Sequence, residues 1–295
     1  MKKLVLFLLC TSSLCAQSFD VKKLDSLFNL MDVNLEAMGG ISIASEGTEV
    51  YKKYFGFANL EQLQKNNEET KHRIGSITKT FTATVIMQLV DEGKLKLETP
   101  LSDFYPKIPN AEKISVEDLL RHRSGLYNIT NDDEIDSWIV YPQSREQMLG
   151  RFIENGVDFE PKTKTQYSNT NYILLSYIIE DVDDKTYKEV LDARIIHPLQ
   201  LKRTKFGEEI AQNENEAFSY SKESEGWELI ETQTHLSAPM GAGAIVSTPR
   251  ELCVFYDSLF SGGLVSETSL EKMMTIKENM GIGMTRLVFK GLEVY

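Results

Sequence analysis

The segment His72-Arg73-Ile74-Gly75-Ser76-Ile77-Thr78-Lys79 opens a long, largely apolar run that ends at Glu92-Gly93. Read as a helix from Ser76, the run places Ser76 and Lys79 on one face, three residues apart. Ser76 then stands at the helix N-terminus, where the dipole and unpaired N–H groups favour developing negative charge. The apolar surroundings force Lys79 inside, and a desolvated lysine loses proton affinity and becomes able to act as a base. One turn thus offers a nucleophile, a base and anion-stabilising amides, the set that acyl transfer needs.

The serine-to-lysine spacing by itself says little, because it recurs at Ser219–Lys222 and Ser269–Lys272. Those two lie in polar stretches and read as solvated faces. Only Ser76 follows a glycine and heads an apolar helix. A second element strengthens the reading. Tyr167-Ser168-Asn169 is the single Tyr-x-Asn of the chain, in a loop after Glu160-Pro161 and just before another apolar helix. A tyrosine held near Lys79 has its phenol pKa lowered by the cation and serves as a general base. The Asn169 amide bridges the lysine and a substrate carbonyl. Standing alone, Tyr167 and Asn169 would read as caps of the helix that follows.

Other chemistries find no support in the pattern. The four histidines, His72, His122, His197 and His235, make no HExxH-type pair, so no metal site is expected. There is no GxSxG elbow and no GxxxxGK[ST] loop. Gly241-Ala242-Gly243 lacks the third glycine and the preceding strand of a dinucleotide loop, and reads as a tight turn before a helix at Thr248. No cofactor is expected. The chain has 295 residues, 41% apolar and 26% charged, as an ordinary globular domain does, which excludes collagen-like and low-complexity classes. Its charge of −12 argues against a nucleic-acid partner. No apolar run is long enough to span a bilayer.

Residues 1–16, MKKLVLFLLCTSSLCA, have the basic start, short apolar centre and small-residue end of a secretory signal peptide. Export to the periplasm or medium is therefore expected, with cleavage after Ala16. A lipid anchor fits less well, because leucines precede Cys10 and Cys15. Cleavage removes two lysines, taking the charge from −12 to −14, and leaves Cys253 as the single cysteine. No intramolecular disulfide is then available, and Cys253, in Leu252-Cys253-Val254-Phe255, reads as core packing.

Periodicity predicts a helix over 20–35, a hairpin of 41–44 and 50–58 turning at Glu46-Gly47, and the helix from Ser76. Further helices are expected from Ser115, over 144–154, 171–181 and 188–196, from Thr248 to about Phe260, and from Glu267. Two strands over 282–287 and 288–295 turn at Lys290-Gly291. Strand groups at both chain ends around a helical middle indicate an α+β fold, with an antiparallel sheet built from both ends and an inserted helical region.

With these motifs in order, the chain resembles the serine β-lactamase and penicillin-binding-protein superfamily. The likeness is greatest to the class C β-lactamase and D-alanyl-D-alanine carboxypeptidase branch, whose second motif is Tyr-x-Asn. It is carried by Phe55-Gly56-Phe57-Ala58-Asn59, Arg73 to Lys79, Gly93-Lys94-Leu95-Lys96-Leu97, Leu119 to Leu126, Tyr167-Ser168-Asn169 and Gly241-Ala242-Gly243. The resemblance implies that Ser76 becomes acylated, Lys79 and Tyr167 move protons, and Asn169 positions the substrate. It also implies that the Ser76 N–H forms half of an oxyanion hole, and that His122 and Ser124 build a structural turn. The implied substrate is a cell-wall peptide, an ester or a β-lactam. Two features depart from the family. Lys162 follows Pro161 where the family usually has glycine, which predicts a strained turn. The third motif, K-[ST]-G or H-x-G on a late strand, does not occur. Residues 17–295 are therefore expected to form one such hydrolase domain lacking its C-terminal strands, with low activity. The alternative is a non-catalytic wall-peptide-binding protein on the same scaffold.

Overall fold

Asp20 accepts a hydrogen bond from the Lys23 N–H and opens α1 (Val21–Val33). Its apolar face lies on a hairpin of β1 (Gly39–Ser45) and β2 (Thr48–Phe55), where Phe28, Tyr51 and Phe55 form a small core of their own. The hairpin turns at Glu46-Gly47, with φ of 50° and 74°, matching the twist of the paired strands. The computed structural model describes residues 20–210, 214–224 and 226–294, so the expected signal peptide lies outside the described residues.

After the short strands β3 (Phe57–Asn59) and β4 (Gln64–Lys65), the chain enters β5 (His72–Arg73). This strand pairs antiparallel with β9 (Ile245–Ser247), whose other edge takes β6 (Lys205–Phe206). The pairing matters for chemistry, because it fastens the residues just before Ser76 to those just after Gly243.

Two buried helices form the centre, α2 (Thr78–Asp91) and α6 (Asn169–Asp183). Both are covered on nearly all sides, so their apolar residues do not need one stripe. The buried polar residues of α2 are mostly threonines, and each hydroxyl is used. Thr78 accepts from the Ile245 N–H, Thr80 donates to the Gly283 carbonyl and Thr82 donates to the Gly241 carbonyl. Such bonds offset the cost of burying hydroxyls and tie three distant loops to one helix.

The inserted helical region contains α3 (Val116–Leu120), α4 (Ile135–Trp138), α5 (Arg145–Asn155) and α7 (Tyr187–Leu191). Ser115 with Asp118, Ser144 with Gln147, and Thr186 with Glu189 make capping boxes. The Asp192–Ile196 segment widens into a π-helical turn. Polar and charged residues 220–223 and 226–229 form a hairpin, β7 (Tyr220–Glu223) and β8 (Gly226–Leu229), that the apolar pattern does not announce. Thr248 caps α8 (Pro249–Phe260), with proline at the first helical position, and Ser266 caps α9 (Glu267–Met274). Cys253 is half-buried, its thiol against the Ser42 carbonyl of β1.

The chain is α+β and antiparallel, as expected, but among the described residues its strands make several small sheets where one sheet shared by both ends was expected, and each end forms its own hairpin. The last is β10 (Leu287–Phe289) and β11 (Leu292–Val294), turning at Lys290-Gly291. Residues 282–286 are not strand. Gly283 has a φ of 74°, and a Cβ there would lie 2.4 Å from that of Ala83, so the segment bends to fit against α2. Ser269, read as exposed, is buried and donates to Asp91.

One buried cation fastens the late chain to the helical region. The Arg121 guanidinium donates to the carbonyls of Lys272, Thr275 and Met280 and to the Glu117 carboxylate. Replacing Arg121 by Ala strands several buried acceptors and should cost about 3 kcal/mol, measured as a lower urea midpoint. Lys162 occupies the left-handed region, with φ of 71°. Lys162→Gly should stabilise by about 0.5–1 kcal/mol, seen as a raised midpoint in the same titration.

Candidate active site

Gly75, at φ of 50°, turns the chain sharply out of β5. A Cβ there would meet nothing within 4 Å, so the glycine is required by backbone angle and not by space. The turn continues as one 3₁₀ turn over Gly75–Ile77, and the α-helix starts at Thr78. Ser76 therefore lies just before α2 and not in its first regular turn, as the spacing alone would put it. It is exposed, while Lys79 below it is only 5% exposed.

Lys79 Nζ has three oxygen partners. It lies 3.1 Å from Ser76 Oγ, 2.7 Å from Asn169 Oδ1 and 2.8 Å from the Ala242 carbonyl. Burial pulls its pKa down to about 7, because the charged form loses hydration. In the neutral amine two N–H groups serve Asn169 and Ala242, and the lone pair is left facing the Ser76 hydroxyl.

Tyr167 OH is 2.7 Å from Ser76 Oγ and 3.3 Å from Asn169 Oδ1. The structure thus brings together all four residues singled out from the sequence: Ser76, Lys79, Tyr167 and Asn169. The phenol departs from expectation in one respect. Its pKa is raised, by burial first, with the Ser76 hydrogen bond opposing. Lys79 faces the ring, 4.9 Å from its centroid, and does not lie beside the oxygen. The proton stays on Tyr167, which suits relay better than initial abstraction.

The Tyr167 loop is held from beneath by His122. Its ring packs on that of Tyr167 with centroids 4.6 Å apart, and its Nδ1 accepts from the Ser168 N–H. Burial, with Lys79 nearby, drives the His122 pKa down to about 3, so the ring is a neutral support. Ser124 donates to Asn171 in the same buried turn. Asn169 is fixed as well. Its Nδ2 donates to Thr130 Oγ1 at 3.0 Å and to Asn128 Oδ1 at 3.3 Å. A substrate carbonyl bonding to this amide must displace one of those partners.

Sequence reasoning missed the carbonyl of Ala242 and the pair Asn128 and Thr130. For Ala242 there was a signal. A Cβ on Gly241 would fall 2.7 Å from the Tyr172 carbonyl and 2.8 Å from Ser176 Cβ. Only glycine lets residues 240–242 lie flat against α6 and aim the next carbonyl at Lys79. Asn128 and Thr130 carry no spacing rule, since they act through a 3₁₀ turn at Ile129–Asn131.

The arrangement can take the Ser76 proton on neutral Lys79, attack a carbonyl, and return a proton through the Tyr167 hydroxyl. Below pH about 7 Lys79 holds its own proton and cannot accept another. Phosphonylation of Ser76 by a fluorophosphonate, with loss of fluoride, should therefore fall about tenfold per pH unit below that point and level off above it. His122 stays neutral throughout that window. A flat profile between pH 5 and 8 would remove Lys79 from the base role.

Comparison with known proteins gives consistent relatives. The family model described as Beta-lactamase matches residues 35–288. A teichoic acid D-alanine hydrolase of Staphylococcus aureus (strain MRSA252) is 28% identical over 236 residues, covering 78% of this chain and 55% of that protein. The chain spans 55% to 62% of the length of the first curated relatives it matches. Among solved structures, a D-amino acid amidase from Ochrobactrum anthropi SV3 superposes with a TM-score of 0.81 at 26% identity, covering 92% of this chain and 83% of that one. An octameric penicillin-binding-protein homologue from Pyrococcus abyssi gives 0.79 at 30% identity, with 93% and 67% covered.

Proposed function

The chain belongs to the β-lactamase family, and on that premise we propose that it is an exported serine hydrolase forming an acyl-enzyme on Ser76. The observation that carries this reading is the triangle of Ser76 Oγ, Lys79 Nζ and Tyr167 OH, with sides of 3.1 and 2.7 Å at the serine. Its relatives named above include hydrolases of amide and D-alanine substrates, which supports an amide, ester or lactam carbonyl as the target.

In the proposed reaction Ser76 Oγ gives its proton to Lys79 and adds to the carbonyl carbon. The oxyanion forms at the Ser76 N–H, where the start of a helix leaves N–H groups without internal partners. The C–N or C–O bond then breaks, and the leaving atom takes a proton through Tyr167. Water repeats the sequence on the ester, returning the proton to Ser76 and releasing the acid. Asn169 holds the lysine and, after displacing Thr130, one face of the substrate. A cell-wall peptide or its esters suit an exported protein. A protein that binds such peptides without turnover is the second outcome the experiment distinguishes.

A fluorescent penicillin or fluorophosphonate should label the purified protein at one site, mapped by mass spectrometry to Ser76. Ser76→Ala should abolish labelling, and equal labelling of that variant sinks the proposal. Tyr167→Phe should slow acylation by about 100- to 10,000-fold while leaving the midpoint of thermal unfolding nearly unmoved.

A further inference from the structure

The cavity beside Ser76 has a volume of about 410 Å³. Ser76, Asn169 and Thr130 edge it on one side. Much of its wall is apolar, from Ile129, Trp138, Ile139, Met148, Ile173 and Leu236, with Ser219, Thr232, Gln233 and Thr234 adding polar edges. Four of these, Ile129, Trp138, Met148 and Ile173, are at most 4% exposed, so the wall is part of the packed core and not a mobile rim. A dry apolar cavity of about 150 Å³ already accepts a benzene molecule, so this one has room for an aryl or branched alkyl group with its adjoining carbonyl.

Two further observations orient and discharge the ligand. Tyr167, which hands the leaving atom its proton in the proposed reaction, meets the cavity only at its edge, through Ser76 and Asn169, and forms no part of the apolar wall. A leaving group must depart toward its proton donor, so the cavity lies on the acyl side of the bond. Among the described residues the cavity wall also has no Asp or Glu. Its one charged side chain is Arg73, whose terminal nitrogens are spent on the Thr234 and Glu208 carbonyls and the Gln233 amide oxygen. An α-ammonium group placed against the apolar wall would lose its hydration and gain no carboxylate from that wall.

We infer that this site selects acyl groups that are uncharged and carry a bulky apolar substituent, such as phenylacyl groups or N-acylated apolar residues, over acetyl and over free aminoacyl groups. The inference rests on the proposed acyl-enzyme reading and narrows it. It sets this chain apart from any relative whose substrate presents a free amine next to the carbonyl.

The test compares p-nitrophenyl phenylacetate with p-nitrophenyl acetate, and N-acetyl-D-phenylalanine methyl ester with D-phenylalanine methyl ester. The first of each pair should have the higher kcat/KM by at least about tenfold. Equal rates within each pair, or faster turnover of the free amine, overturn the inference. Ile139→Trp should shrink the phenylacetyl-to-acetyl ratio toward one by filling the wall. Should that variant not fold, Ile230→Trp at the exposed rim reads the same ratio. Turnover that is lost in Ser76→Ala but shows no such preference sinks this inference alone, whereas turnover that persists in Ser76→Ala sinks the acyl-enzyme reading. Calorimetric binding of the four esters to Ser76→Ala decides the selectivity if turnover is absent, with the same order expected and equal affinities counting against it.

Discussion

Taking Lys79 out of water is the constraint around which this molecule is built. A lysine in solvent keeps its proton well above neutral pH and is useless as a base there. Here two helices, a tight turn and a loop close over the side chain and offer it three oxygens. The balance is narrow. More acceptors would hold the proton, and fewer would make burial of the amine too costly. The threonine hydroxyls on α2 contribute to the same enclosure, because they hold the backbone of 241, 245 and 283 around the helix that carries the lysine.

A second layer keeps the enclosure rigid without touching any reacting atom. His122, buried and uncharged, supports the Tyr167 ring and fixes the Ser168 backbone. Asn128 and Thr130 fix the amide that in turn fixes the lysine. Side chains locked this way spend little entropy on reaching a reactive geometry. An exposed serine over a buried amine then becomes a directional device, open to substrate on one side and dry on the other.

Much of this was legible in the sequence, for physical reasons particular to each part. Ser76 and Lys79 could be read because helical spacing is periodic and an apolar run dictates burial. The caps at Ser115, Ser144 and Thr248 could be read because small polar residues there bond the first N–H groups. The hairpin turns at Glu46-Gly47 and Lys290-Gly291 could be read because each holds a glycine, which takes left-handed angles freely. What stayed hidden has a common cause. The short strands at 72–73, 205–206 and 245–247 are fixed by partners 39 to 175 residues away and leave no local pattern. The Tyr167 pKa rises where a fall was expected because burial of the phenol outweighs its hydrogen bond to Ser76, and burial at a loop is not conveyed by spacing. Residues 282–286 look like strand by composition, but Gly283 takes a left-handed φ of 74°, which interrupts an extended segment.

The carbonyl of Ala242 lies 163 positions after the amine it receives. During synthesis Lys79 emerges early, as an ordinary solvated cation, and stays one until the segment through Gly243 has left the ribosome and settled on α2 and α6. The Gly241 contact, too tight for any side chain, lets that segment lie directly on α2 and α6 and complete the lysine pocket. A nascent chain, or one unfolded for transport across a membrane, thus carries a serine with no base beside it. The base beside Ser76 is assembled only by completion of the fold itself.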